Sequence, residues 1–305
     1  MTLVHLRALC SVVEKGSFRA AARQLGVAQS TLTQSIQSLE KELGVTLLLR
    51  SNQGINLTPA GENFLIRARS ITLDCDRALQ DVQQWKGEPE GQIALGVTSE
   101  PMAELLMPVL SSFTQKFPKV QVHVASGWTM MLVEKIRDGR LDFAMCPLAR
   151  NVDDIDLSIE RLYSSDASVV ARKGHPRADA RSVHELADCQ WISLRSTGVV
   201  GGGGNRLTEL FKEAGLPPPK IAITTDSLLE TLHIVSESDY LTIEPRVLTS
   251  LKLFSPALVS VPIQEPMAAR DVCLVSRRSS PFTAVTQELT SMLISYSRLV
   301  HRMPH

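Results

Sequence analysis

The sequence is poor in features that would announce several classes of protein. Its five cysteines, at 10, 75, 146, 189 and 273, lie far apart and form no Cys-x-x-Cys pair. That argues against a metal or redox motif and for ordinary thiols in a reducing compartment. Net charge is absent too, 32 Lys and Arg standing against 32 Asp and Glu, so any basic surface must be local. Charges interrupt every apolar run well before the roughly 18 residues of a membrane span, and the opening residues hold no apolar signal core. The expectation is a cytoplasmic protein, neither secreted nor membrane-spanning, without metal or cofactor. Signatures of catalysis are missing as well. There is no Gly-x-Ser-x-Gly elbow, His184-Glu185-Leu186-Ala187-Asp188 lacks the second His of a zinc helix, and Gly201–Gly204 runs into Asn205-Arg206 rather than Gly-Lys-Ser/Thr. An enzyme is not expected.

What is present is organisation. A chain of 305 residues exceeds what one core usually spans and suggests two domains. Leu6, Leu9, Val12 and Val13 mark a helix over 3–13, stopped by Gly16-Ser17. A short alanine-rich helix follows from Arg19 to Leu25, ended by Gly26 as a C-cap. A third, from about Ala28 to Leu43, has Leu32, Ile36, Leu39 and Leu43 as one apolar stripe. The run Thr46–Leu57 reads as a small hairpin. Thr58-Pro59 then opens a helix reaching about Lys86, with Thr as N-cap and Pro at the first helical position. Its apolar stripe runs through Leu65, Ala68, Ile71, Cys75, Ala78, Val82 and Trp85. Pairing with a second copy is the favoured reading of so long a helix, packing on its own chain the plainer one.

Gly87-Glu88-Pro89-Glu90-Gly91 is a linker signal. Beyond it, strands are expected near 92–97, 120–125, 143–146, 167–171, 191–194, 221–224, 259–262 and 272–276. Helices are expected at 101–117, 129–138, 205–214, 227–237 and 282–300. Such alternation implies an α/β sheet.

The second helix, its glycine turn and the third helix fit a helix-turn-helix, which lays its second helix in the major groove of DNA. Gln reads adenine with two hydrogen bonds, and Ser or Thr reaches bases or phosphates. Gln29, Ser30, Thr33 and Gln34 are therefore the first candidates for base contacts. Arg7, Arg19, Arg23, Lys41 and Arg50 are candidates for phosphates. Residues 1–66 hold six Lys/Arg against four Glu, a local excess of +2 that promises modest nonspecific affinity. An ordinary three-helix bundle is the alternative.

Residues 17–61 read SFRAAARQLGVAQSTLTQSIQSLEKELGVTLLLRSNQGINLTPAG. Ser17-Phe18, Ala20-Ala21-Ala22, Leu25, Gln29-Ser30, Leu32, Ile36, Leu39-Glu40, Leu43-Gly44, Leu47, Arg50, Leu57-Thr58 and Ala60-Gly61 resemble the LysR-type transcriptional regulators. So do Phe117-Pro118, Gly139-Arg140-Leu141-Asp142-Phe143-Ala144 and His175-Pro176. The likeness covers the chain to about residue 300, and within the family it leans toward the toluenesulfonate regulators. It implies a winged helix-turn-helix (1–58), a dimerising linker helix (59–87) and a two-lobed effector domain with a periplasmic-binding-protein fold (91–300). It implies double-stranded promoter DNA as partner, with RNA polymerase beside it, and a homodimer or homotetramer. Carried over by position, Gln29, Ser30, Thr33 and Gln34 become recognition contacts and Arg50 a wing contact. The family often has Arg or Lys where Gln34, Gln37, Ser38, Asn52 and Gln53 stand here, so fewer phosphate contacts are expected.

The effector would bind where strands end and helices begin, in a cleft between lobes. Thr98-Ser99-Glu100-Pro101, Gly127-Trp128-Thr129, Ser196-Thr197-Gly198 and Thr225-Asp226 occupy such junctions, and Ser99 is placed to cap a helix. Helix starts favour anions, so a small organic anion is the expected effector, contacted by Thr98, Ser99, Glu100, Trp128, Ser196, Thr197 and Thr225. Ser and Thr at helix starts are also commonly no more than caps, and Glu100 or Asp226 facing the cleft would repel an anion. The chain crosses between lobes near Tyr163 and Pro262, giving lobe I as 91–163 plus 264–300 and lobe II as 164–263. A transporter's solute-binding protein and a regulator needing no ligand are the remaining alternatives; a cleft without polar groups would favour the latter.

Overall fold

The computed structural model describes residues 1–51, 54–84, 90–148, 155–194 and 203–301. Three helices open the chain: α1 (Leu3–Lys15), α2 (Phe18–Leu25) and α3 (Gln29–Leu43). Each ends on a glycine in the left-handed region, Gly16, Gly26 and Gly44, a conformation that carries no side-chain penalty only for glycine. Leu6, Leu9, Val12, Ala21, Ala22, Leu32, Ile36 and Leu39 close one core. Leu43, expected on that stripe, is exposed; it is the last residue of α3.

Strands β1 (Leu48–Ser51) and β2 (Gly54–Leu57) form an antiparallel hairpin, the wing. Glu40 of α3 accepts hydrogen bonds from the backbone N–H groups of Leu47 and Leu48 at 2.7 and 3.0 Å, which fixes the wing to the helix. Helix α4 (Pro59–Gln84) begins as expected, with the Gly61 N–H donating to Thr58 Oγ1 at 2.9 Å. Its start is wedged in place: a Cβ built on Gly61 would lie 2.1 Å from the Leu47 carbonyl oxygen.

The two halves of α4 differ. Leu65 and Ala68 are buried in the core of α1–α3. Farther on, Ile71, Ala78 and Val82 of the expected stripe are exposed, and so is Leu79 beside them, so the stripe is covered by its own chain mainly at its start.

Two sheets follow. The first has the order β4–β3–β5–β12–β6, from β3 (Gly91–Val97), β4 (Val120–Ser126), β5 (Phe143–Leu148), β6 (Leu157–Ser165) and β12 (Arg270–Arg277). Strand β3 runs parallel to β4 and β5, and β12 antiparallel to β5 and β6. The second comprises β10–β7–β11 and the parallel pair β8–β9, joined by a bridge between Trp191 and Leu241. Its strands are β7 (Ala167–Arg172), β8 (Gln190–Leu194), β9 (Lys220–Thr225), β10 (Thr242–Pro245) and β11 (Leu258–Val261). The chain passes from the first sheet to the second at Asp166, and returns between Val261 and Arg270. Strand β6 thus continues two residues beyond Tyr163, the expected crossing.

Strands β6 and β10 were not among those expected. Only four residues long, β10 ends on Pro245 and holds Glu244, which hides it from any apolar pattern. The helix after β3 is α-helical at Ser99–Pro101 (α5), a wider π turn at Met102–Leu106, then α-helical at Met107–Lys116 (α6). Helices α7 (Thr129–Arg137), α8 (Gly203–Glu213), α9 (Leu228–Ser236) and α10 (Ala284–Val300) complete the layers over the sheets. Among the described residues no helix is long and apolar enough to cross a membrane.

Candidate DNA and effector sites

Gln29, Ser30 and Gln34 are exposed on α3, with Gln37 and Ser38 beyond them. Thr33 is half-buried and its hydroxyl donates to the Gln29 carbonyl of its own helix at 2.9 Å. The start of α3 is unusual for this domain. Helices α1, α2 and α4 are capped by the side chains of Thr2, Ser17 and Thr58, whereas Ala28 has no side chain to cap α3. The first-turn N–H groups of α3 are left to an outside acceptor such as a phosphate. Arg19, Arg23 and Lys41 are exposed, and Arg50 stands on β1 opposite Ile55. Arg7, expected to meet phosphate, instead pairs with Asp76 of α4 at 2.5 Å.

A cleft of about 600 Å³ lies between the two sheets. Thr98, Ser99, Glu100 and Trp128 all line it. Thr225 does not: its hydroxyl is 2.5 Å from that of Thr231 on α9, and its neighbours Asp226 and Ser227 reach the cleft instead. Ser196 and Thr197 lie outside the described residues. Ser99 is not the cap expected of it. Thr98 holds that position with no cap bond, and its Oγ1 is buried without a hydrogen-bond partner.

Residues not foreseen give the cleft its charge. Arg206 of α8, Glu244 of β10 and Arg270 of β12 all line it. Glu100, Glu244 and Arg206 are 6%, 4% and 8% exposed. Ser165 Oγ donates to Glu100 at 2.6 Å, yet burial pushes the Glu100 carboxyl up to about 7. Burial likewise pushes Glu244 up to about 8 against the opposing charge of Arg206. The Arg206 guanidinium is itself shifted down by burial. The sequence offered one faint sign of this, a carboxylate inside the apolar run Leu241-Thr242-Ile243-Glu244.

The cleft is tied to α4 by a buried polar network. Arg77 of α4 is buried and pairs with Asp142, its Nε donating at 3.1 Å. Arg77 also donates to Ser280, whose hydroxyl donates to Asp74 at 2.5 Å. The second oxygen of Asp142 accepts from the Ala94 N–H of β3 at 2.7 Å. Arg277 reaches Ser70 of α4 at 2.6 Å.

Residues 3–62 match the family described as "Bacterial regulatory helix-turn-helix protein, lysR family", and residues 86–297 match "LysR substrate binding domain". The chain belongs to the LysR family. It is therefore a DNA-binding transcriptional regulator with a domain for a small-molecule effector, and not an enzyme. The "HTH-type transcriptional regulator TdcA" of Escherichia coli K12 is 28% identical over 96% of this chain and 92% of its own. The "SDS degradation transcriptional activation protein" of a Pseudomonas species is 32% identical over 80% of this chain and 78% of its own. Among solved structures, a full-length OxyR variant of Pseudomonas aeruginosa superposes with a TM-score of 0.71 at 22% identity, covering 99% of this chain and 97% of that one. CbnR complexed with its target DNA gives 0.69 at 21% identity, covering 97% and 100%. These relatives do not single out the toluenesulfonate branch.

Proposed function

We propose that this regulator works in the cytoplasm and reads its operator with α3, using Gln29, Ser30, Thr33 and Gln34 at base edges and Arg50 of the wing on the backbone. The uncapped start of α3 beside an exposed, uncharged polar face carries this reading. The DNA-binding unit is 1–58, the linker helix 59–87 and the effector domain 91–300, with crossings between lobes at Asp166 and within 262–269. Ile71, Leu79 and Val82, exposed on α4, are the face by which two copies pair, and pairs of dimers would make the tetramer.

The effector occupies the interlobe cleft, contacted by Thr98, Ser99, Glu100 and Trp128, with Ser196 and Thr197 on the segment before α8. A cleft rich in polar groups favours a ligand-gated regulator over one that needs none. Closure of the lobes moves the end of β3, and the Arg77–Asp142 link passes that motion to α4.

The test is a footprint of the purified protein on DNA upstream of its own gene, at stated salt. A bounded footprint is expected, lost in Gln29→Ala with the fold intact and altered in extent by an effector. Binding that survives both Gln29→Ala and Gln34→Ala would remove α3 from the recognition role.

A further inference from the structure

The cleft is lined by ionisable side chains of both kinds, acidic and basic. Glu100 comes from the first lobe and Glu244 from the second, with Asp226 exposed at the rim. Among the described residues none of the three has an ion-pair partner within 4.0 Å. Arg206 is near enough for its charge to act on both Glu100 and Glu244, yet its Nε is buried without a hydrogen-bond partner. Buried charges left apart are costly, and a site that keeps them is completed by something else.

Two helix starts add to the positive side. Helices α7 and α9, nine residues each, begin at Trp128 and Ser227, which line the cleft and make no side-chain cap bond. Their first N–H groups and Arg206 suit an acid group. A simple anion would bring its charge into a cleft already lined by three carboxyl groups against two guanidinium groups. A simple cation would leave Arg206 unanswered. Met102, Met131, Leu229 and Phe254 form apolar walls.

We infer that the cleft takes a small zwitterion, with an ammonium and an acid group on one short frame and an apolar or aromatic remainder, rather than a simple organic anion. This rests on the cleft being the effector site. The ammonium sits against Glu100 and Glu244, and the acid group against Arg206 and the starts of α7 and α9. Burial raises both glutamates toward the neutral acid, and an ammonium placed beside them would favour their ionised form. The α-amino acids are the commonest molecules of this description.

Calorimetric titration of the full chain with the twenty standard L-amino acids tests this, each binder being compared with its decarboxylated amine and its deaminated acid. At least one amino acid is expected to bind tenfold or more tightly than either counterpart. Glu100→Gln should weaken the amino acid tenfold or more and spare the acid counterpart. Arg206→Gln, its fold checked by circular dichroism, should weaken both. Asp226→Asn, at the exposed rim, gives a smaller loss in the same direction without touching the interior. An acid counterpart that binds as tightly as its amino acid, or a panel in which nothing binds, overturns the zwitterion. Tight acid binding abolished by Arg206→Gln would keep the cleft as effector site and sink the zwitterion alone. Amino-acid binding indifferent to all three variants would place the ligand elsewhere, and the cleft reading itself would fall.

Discussion

The outer face of α3 and the floor of the interlobe cleft are both polar, but they are built in opposite ways. On α3 the polar groups are short, uncharged and exposed: Gln29, Ser30, Gln34. Water satisfies them until DNA replaces it, so they cost the fold almost nothing. In the cleft the groups are ionisable and buried, Glu100, Glu244 and Arg206, and the fold bears the cost of their burial, as desolvation or as protons held, whether or not a ligand is present. The difference teaches where selectivity is stored. The DNA face can be changed at almost no cost to the fold, whereas changes in the buried floor of the cleft and in its link to α4 cost stability as well.

The sharpest way to break this comparison is at the buried link. Asp142→Ala removes the partner of Arg77 and an acceptor for Ala94. Leaving a buried charge wholly unpaired costs about 3–5 kcal/mol; Arg77 keeps Ser280 and Asp74, so a loss toward the lower end of that range is expected, read as a lower midpoint in urea or thermal melts. A loss below about 1 kcal/mol would mean that the network is solvated and that burial does not set its strength.

Next in size is a dependence on pH. Glu100 and Glu244 are raised to about 7 and about 8 in the folded chain, so the folded state holds protons that the unfolded chain gives up nearer 4.5. Their contribution to stability is full below about 4.5 and is lost as pH rises through 7 to 8. Wild type should therefore lose more thermal stability between pH 6 and 8.5 than Glu244→Gln, by roughly 2–4 °C for each kcal/mol. Equal slopes would show that Glu244 is ionised in the resting protein.

Gln29→Ala and Gln34→Ala fall on the other side of the comparison. Each should cost about 1–3 kcal/mol of operator binding and leave stability within about 0.5 kcal/mol, as gel shifts and melts would show. Smallest of all is Arg7→Ala. Its pair with Asp76 is exposed on both sides, so less than about 1 kcal/mol of stability should go. A large loss of operator affinity in that variant would return Arg7 to the phosphate role first expected of it.

The same contrast explains what could be read from the sequence. Local patterns are legible: Gly16, Gly26 and Gly44 stop three helices, Thr58-Pro59 starts the fourth, and Leu32, Ile36 and Leu39 mark the buried side of α3, so its polar side follows. The strand ends carrying Thr98 and Trp128 were legible for the same reason. Glu244, Arg206 and Arg270 were not, because no spacing connects residues brought together from β10, α8 and β12. Arg77 was hidden for a related reason. On a helix taken alone it lies among charged neighbours, and only the arrival of Asp142, 65 positions away, makes it an interior residue.

Asp142 occupies a special place in this molecule, for it holds β3 with one oxygen and α4 with the other. Thr98, at the mouth of the cleft, is only four residues along from Ala94, which makes a short route between sensing and output. In genetic terms the regulator should have two kinds of locked-on or locked-off allele. One kind will map to the cleft and change which molecules are sensed. The other will map to Arg77, Asp142, Arg277 and Ser280, which do not line the cleft, and will uncouple the response while leaving the cleft's own contacts to the effector in place.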